Sequence, residues 1–161
     1  MITEATAKAS SGVLVDTNIL VLYIVGTLDP DLISKHKRTN KFLPADYRLL
    51  DGLLRRFRRI VTTPNVLTEV SNLVDQIGGE TGQKLQALLG GFVETLFEEH
   101  YVQSIAAVKT EEFRRIGLTD SSILLLAKED LLVLTDDIHL YLALVQRGVE
   151  ALNFNHLREL G

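Results

Sequence analysis

The stretch Val13-Leu14-Val15-Asp16-Thr17-Asn18-Ile19-Leu20 decides how the chain is read. An apolar run feeds directly into an acid, and polar and apolar residues then recur at helical spacing. That pattern predicts a buried strand whose C-terminal end presents Asp16 to a crevice, with a helix following. In open α/β sheets, ligands sit in the crevice outside the carboxyl ends of the strands. Asp16 therefore has two readings: a cap for the helix that begins near Ile19, or a group that does chemistry. The second requires other acids to converge on the same edge.

Three further segments supply them. Leu131-Leu132-Val133-Leu134-Thr135 is continuous in apolar residues, predicts a central parallel strand, and ends in Asp136-Asp137, repeating the first pattern. The β-branched run Ile60-Val61-Thr62-Thr63 meets Pro64, which opens a helix carrying Val66, Leu67, Val70, Leu73, Val74 and Ile77 as far as Gly78-Gly79. Glu69 lies at the edge of that apolar stripe. Leu118-Thr119-Asp120, just after Gly117, opens a helix to about Glu129 and puts a carboxylate where the helix dipole lowers the cost of its charge.

The remaining elements follow from periodicity and turn chemistry. We expect a helix from about Ile19 to Val25, ended by Gly26 and the Asp29-Pro30 turn, then a loop or short helix over Asp31 to Tyr47 with Pro44 inside it. Asp46 is expected to cap a helix from Tyr47 to about Arg58. A helix over Gln83 to Glu99, weakened at Gly90-Gly91, precedes an expected strand from Tyr101 to Val108 and a short helix from Thr110 to Ile116. Ile138 to Arg147 reads as a helix closed by Gly148, and Val149 to Phe154 as the last strand, with a short tail. Strands alternating with helices predict a three-layer α/β/α sandwich around a central parallel sheet of four to five strands. Right-handed crossovers put the ends of the first strand and of the Leu131 strand on one edge.

Length and composition predict a single domain over 1–161, with 1–12 as a small, polar leader. The absence of Cys excludes disulfides and thiolate metal sites and suits a reducing cytoplasm. No apolar run is long enough for a bilayer, and residues 1–12 lack the apolar core of a signal peptide, so neither membrane nor export is expected. The net charge of -4 argues against a nucleic-acid partner, but its distribution argues for one. Residues 35–59 hold nine Lys and Arg against two Asp, net +7, which leaves -11 for the rest of the chain. Such asymmetry suits a polyanion, with a solvated basic helix face as the plainer account.

Asp16, Glu69, Asp120 and the Asp136/Asp137 pair each sit just after a strand or in the first turns of the next helix. Carboxylates gathered in one crevice repel and raise one another's pKa unless a cation neutralises them. All-oxygen donors without Cys or clustered His suit Mg²⁺ or Mn²⁺ rather than Zn²⁺. Such ions bind phosphate oxygens, activate water and stabilise a leaving oxygen, the chemistry of phosphodiester hydrolysis. His36, His100, His139 and His156 are scattered and read as surface or structural residues, His139 alone lying near the proposed site.

Taken together, the Val-Asp-Thr-Asn start, the Thr-Pro-x-x-x-x-Glu helix, the Leu-Thr-Asp helix start and the Leu-Thr-Asp-Asp strand end resemble a PIN domain, including the VapC-type toxins of toxin-antitoxin pairs. The resemblance spans about Val13 to Phe154. It implies a Mg²⁺- or Mn²⁺-dependent ribonuclease whose acidic cluster is Asp16, Glu69, Asp120 and Asp137, with Asn18 as a polar support and Thr135 orienting the cluster or a phosphate. The family's last acid follows Thr by two positions, which selects Asp137 and leaves Asp136 as an additional candidate ligand. The basic insertion at 27–59 and the leader are both longer than expected for compact toxins. Lys35, Lys37, Arg38, Lys41, Arg55, Arg56, Arg58 and Arg59 are then candidates for contacting RNA backbone or, equally, an acidic antitoxin or partner subunit. A homodimer through an apolar face of the first or second helix is also expected.

Rival readings lack their signatures. A receiver domain would carry a Lys after the last strand and an acid pair after the first; a haloacid-dehalogenase-type phosphotransferase would have an acid where Asn18 stands; a dinucleotide-binding domain would have a Gly-rich turn in place of Asp16-Thr17-Asn18. The remaining alternative is a PIN-like scaffold that binds RNA or protein without cutting. Four mutually repelling acids argue against it.

Overall fold

The computed structural model describes residues 12–127 and 131–161. Five parallel strands form one sheet in the order β3-β2-β1-β4-β5: β1 (Gly12–Val15), β2 (Ile60–Thr62), β3 (Phe97–Glu99), β4 (Leu131–Thr135) and β5 (Ala151–Asn153). The central strands are the most apolar and are buried throughout, Gly12 to Val15 lying against Leu131 to Leu134 in register. A strand covered on both faces has no polar side, so its sequence runs apolar without alternation.

The helices are α1 (Thr17–Leu28), α2 (Pro44–Leu54), α3 (Pro64–Asp75), α4 (Gly79–Thr95), α5 (Ser104–Ala107), α6 (Phe113–Leu126), α7 (Ile138–Gln146) and α8 (Phe154–Leu160), with a 3-10 turn at Pro30–Lys35. α1 packs against α2, α3 and α4, while α6 packs against α5 and α7. Right-handed crossovers put the first group on one face of the sheet and the second on the other, giving the expected three-layer α/β/α sandwich. The chain leaves β1 toward β2 on one side and returns to β4 on the other. The C-terminal ends of β1 and β4 therefore flank the point where the strand order reverses, the position at which such sheets bind ligands. Among the described residues no helix is long and apolar enough to cross a membrane.

Several expected boundaries move. Gly12 belongs to β1, and the rest of the expected leader lies outside the described residues, as does the expected end of a helix at Glu129. Gly26 does not stop α1, which runs two residues further; a Cβ at Gly26 would collide with the Tyr47 ring, so the glycine serves a close approach. α2 begins at Pro44, in the first helical position, and ends at Leu54, not Arg58. Asp46 lies within its first turn and accepts the Leu43 N–H at 2.8 Å rather than preceding the helix as its cap. α4 continues through Gly90-Gly91. The strand expected over Tyr101 to Val108 is replaced by the edge strand Phe97–Glu99 and the short α5, leaving Tyr101, Ile105 and Val108 exposed. The last strand is shorter than expected, and the side chain of Asn153 caps α8 where a tail was expected.

Candidate active site

Each acid reaches the C-terminal edge of the sheet by a different local device. Asp16 follows β1 and is buried. Its Oδ1 accepts the Thr17 N–H at 2.7 Å, making it the cap of α1, and its Oδ2 accepts the Thr135 hydroxyl at 2.6 Å. The two readings of Asp16 thus describe one residue: the cap bond fixes the carboxylate at the mouth of the crevice. Burial pushes its pKa up to about 6, against the opposing pull of the Thr135 and Thr17 hydrogen bonds and with added repulsion from Asp136 and Asp137.

Thr135, buried at the end of β4, also accepts the Asp137 N–H at 3.0 Å on the same hydroxyl oxygen. Asp137 in turn caps α7, its Oδ1 accepting the His139 and Leu140 N–H groups at 2.7 and 3.2 Å. Among the described residues, His139 enters this arrangement through its backbone N–H alone. Glu69 is exposed on α3, and its Oε2 accepts the Thr17 hydroxyl at 3.3 Å. Thr17 is a support that the first stretch contained but that its reading as a helix start concealed.

Asp120 depends on a backbone break. α6 is kinked at Gly117, whose φ of 84° and ψ of -178° belong to a region open essentially to glycine alone. Asp120 therefore lies in the first turn of a new helical segment. α3 and α6, the helices bearing Glu69 and Asp120, touch each other. The Asp120 pKa is pushed up to about 8, first by burial and then by repulsion from Asp16, Asp137, Glu69 and Asp136. All four other acids thus raise the cost of charging Asp120.

Asp136 is different. Its side chain is 1% exposed, and its Oδ2 lies 2.5 Å from the Lys41 ammonium. Its Oδ1 accepts Asn18 Nδ2 at 3.5 Å and its backbone carbonyl accepts Asn155 Nδ2 at 3.3 Å.

The donor set is entirely oxygen, with five carboxylates against one ammonium, and its chemistry fits a hard divalent cation. Among the described residues, no group of three or more His, Asp or Glu side chains is gathered tightly enough to chelate a metal ion as it stands. Asp16 and Asp137 are held by their cap bonds. Glu69 is exposed and held only by the Thr17 hydroxyl, and Asp120 is partly buried with no hydrogen bond to its carboxylate among the described residues.

The basic residues divide. Lys41 reaches the site, and Arg38 donates to Gln76 Oε1 at 3.0 and 3.1 Å, just beyond α3. Arg55, Arg56, Arg58 and Arg59 lie between α2 and the start of β2, at the sheet edge opposite the carboxylates; Arg55 pairs with Asp51 and Arg59 with Glu98, each at 2.9 Å. Lys35, Lys37, Arg56 and Arg58 are exposed with no carboxylate partner among the described residues.

Compared with known proteins, the chain matches no protein-family model and no curated protein sequence.

Proposed function

We propose that this chain is a PIN-like, divalent-metal-dependent endoribonuclease. The observation that carries this reading is the arrival of carboxylates from β1, α3, the first turn after Gly117 and the end of β4 at one sheet edge, where Asp120 is pushed up first by burial and then by the charges of the other four. A protein rarely keeps such repulsion without a use for it. Asp16, Glu69, Asp120 and Asp137 would hold Mg²⁺ or Mn²⁺, which when bound supplies an activated water and neutralises charge on the phosphate. Thr135 fixes Asp16 and Asp137 relative to each other, and Thr17 steadies Glu69. Lys35 and Lys37, exposed with no carboxylate partner among the described residues, supply positive charge for RNA backbone, so binding weakens as salt rises, while Arg56 and Arg58 would meet only RNA that extends to the opposite edge of the sheet.

The purified protein is expected to cleave RNA with Mg²⁺ or Mn²⁺ and to lose cleavage in excess chelator. Asp16→Asn is expected to abolish cleavage while the protein stays folded. Full activity in chelator contradicts the metal's role; undiminished cleavage by the variant contradicts the residue assignment.

The looseness of the carboxylates as they stand favours a second reading, a non-catalytic PIN-like scaffold for RNA or protein. RNA binding without cleavage under any divalent ion selects it. Within the nuclease reading, a cytoplasmic toxin is the narrower proposal, with an acidic antitoxin on the basic segment: growth arrest on expression, relieved by the neighbouring reading frame, supports it. For the proposed homodimer, α1 is unsuitable because most of its apolar residues are buried within the chain; an exposed apolar stripe runs through Ile138, Leu142 and Val145 on α7.

A further inference from the structure

Lys41 belongs to the segment between the 3-10 turn and α2, far in sequence from every acid it meets. Its backbone is fixed independently of its charge. Arg158 Nη2 donates to the Lys41 carbonyl at 2.9 Å, and Arg158 also pairs with Asp46 at 3.0 Å. The Phe42 ring is wholly buried, with the Lys41 ammonium 5.0 Å and the Arg158 guanidinium 4.9 Å from its centroid. The ammonium that results lies on Asp136 Oδ2 at 2.5 Å, with the Lys41 side chain 52% exposed.

Both Asp136 oxygens have partners, Lys41 and Asn18, whereas Asp137 keeps Oδ2 outside its cap bonds. Drawing Asp136 onto a cation would break a short ion pair at an almost fully buried carboxylate. Removing one partner of such a pair leaves an uncompensated charge and is strongly unfavourable.

We propose that Lys41 is the permanent counter-ion of Asp136, which makes Asp136 a positioning residue outside the metal's ligand set and holds the basic segment 35–41 at the rim of the carboxylate cluster. The metal part rests on the nuclease reading; the pairing does not. Asp136 then serves to orient Asn18 and to tie the segment that carries Lys35, Lys37 and Arg38 to the sheet edge.

A double-mutant cycle with two readouts tests this. In the metal-free protein, Lys41→Met and Asp136→Asn each lower the thermal midpoint, the double variant loses less than the sum, and Lys41→Arg stays near the parent. In equilibrium titration with Mn²⁺, Lys41→Met leaves Asp136 unpaired beside the cluster and tightens binding several-fold, while the double variant binds within about threefold of the parent because a neutral pair has been removed. Asp137→Asn, which removes a proposed ligand, weakens binding by about tenfold or more. Additive thermal losses overturn the pairing. A double variant weakened as far as Asp137→Asn overturns the exclusion of Asp136 from the ligand set. If the parent protein binds no Mn²⁺, the nuclease reading fails, and the thermal cycle still decides the pairing.

Discussion

Thr135 donates its hydroxyl to Asp16 Oδ2 at 2.6 Å across the junction of β4 and β1, and the same oxygen receives the Asp137 N–H at 3.0 Å. One buried hydroxyl thus ties the carboxylate of Asp16 to the backbone of Asp137, near opposite ends of the chain. Thr135→Val keeps the shape and removes both bonds. Leaving a buried acceptor and a backbone donor unsatisfied is expected to cost about 1–3 kcal/mol in chemical denaturation. Nuclease activity should fall by about tenfold or more, as when an outer partner of a metal ligand is lost. Unchanged stability and activity would show that Thr135 organises nothing.

Asp16 and Asp120 sit above the ordinary carboxylate value of 3.8, at about 6 and about 8. A folded-state pKa raised above the unfolded value contributes stability that is complete below the unfolded value and is lost as pH rises through the folded one. The metal-free protein should therefore be more stable at pH 5 than at pH 9. Asp120→Asn should flatten the upper part of this curve and stabilise the protein at pH 9 by about 2 kcal/mol, discounted for the partial exposure of the group. Thermal midpoints across that range check the prediction; a parent curve that rises with pH contradicts it.

What was legible in the sequence follows from where the physics is local. β1 and β4 are buried on both faces, so unbroken apolar runs betray them, and the acids that end them sit where strand meets helix. Gly117 reads as the stop of a short helix before Leu118-Thr119-Asp120 opens the next, and its positive φ bears out the break. The edges were harder to read. Phe97–Glu99 carries two acids, and Tyr101 to Val108 is more apolar yet largely exposed, because an edge strand draws on pairing with β2 more than on its own composition. Pro44 read as an interruption although it opens a helix, and Asp46 read as a cap although it lies inside that helix's first turn. Lys41 stood out only as one basic residue among many. Its pairing with Asp136 spans 95 positions, and no spacing rule reaches that far.

Gly117→Ala tests the kink that places Asp120. With φ at 84° and ψ at -178°, a side chain there is strained by on the order of 1–3 kcal/mol. The denaturation midpoint should fall accordingly, and Mn²⁺ affinity with it, because relief of the strain shifts the first turn of the segment bearing Asp120. A fall in stability with Mn²⁺ affinity retained would show that the kink is structural only.

Gly26→Ala tests a packing constraint remote from the acids. The added methyl meets the Tyr47 ring, and overpacking of this kind is expected to cost about 1–3 kcal/mol. Tyr47→Ala in the same background should recover part of that loss. A neutral Gly26→Ala would show that α1 and α2 have slack between them.

Mn²⁺ titration followed calorimetrically in two buffers of different ionisation enthalpy tests most directly whether the converging carboxylates hold a cation. Saturable binding at pH 7 with release of a proton is expected, since Asp120, with a pKa of about 8, is mostly protonated there and must ionise to take part. Asp120→Asn should weaken binding and abolish the proton release. No saturable binding, or binding that neither releases a proton nor responds to Asp120→Asn, would mean that these carboxylates do not hold a cation.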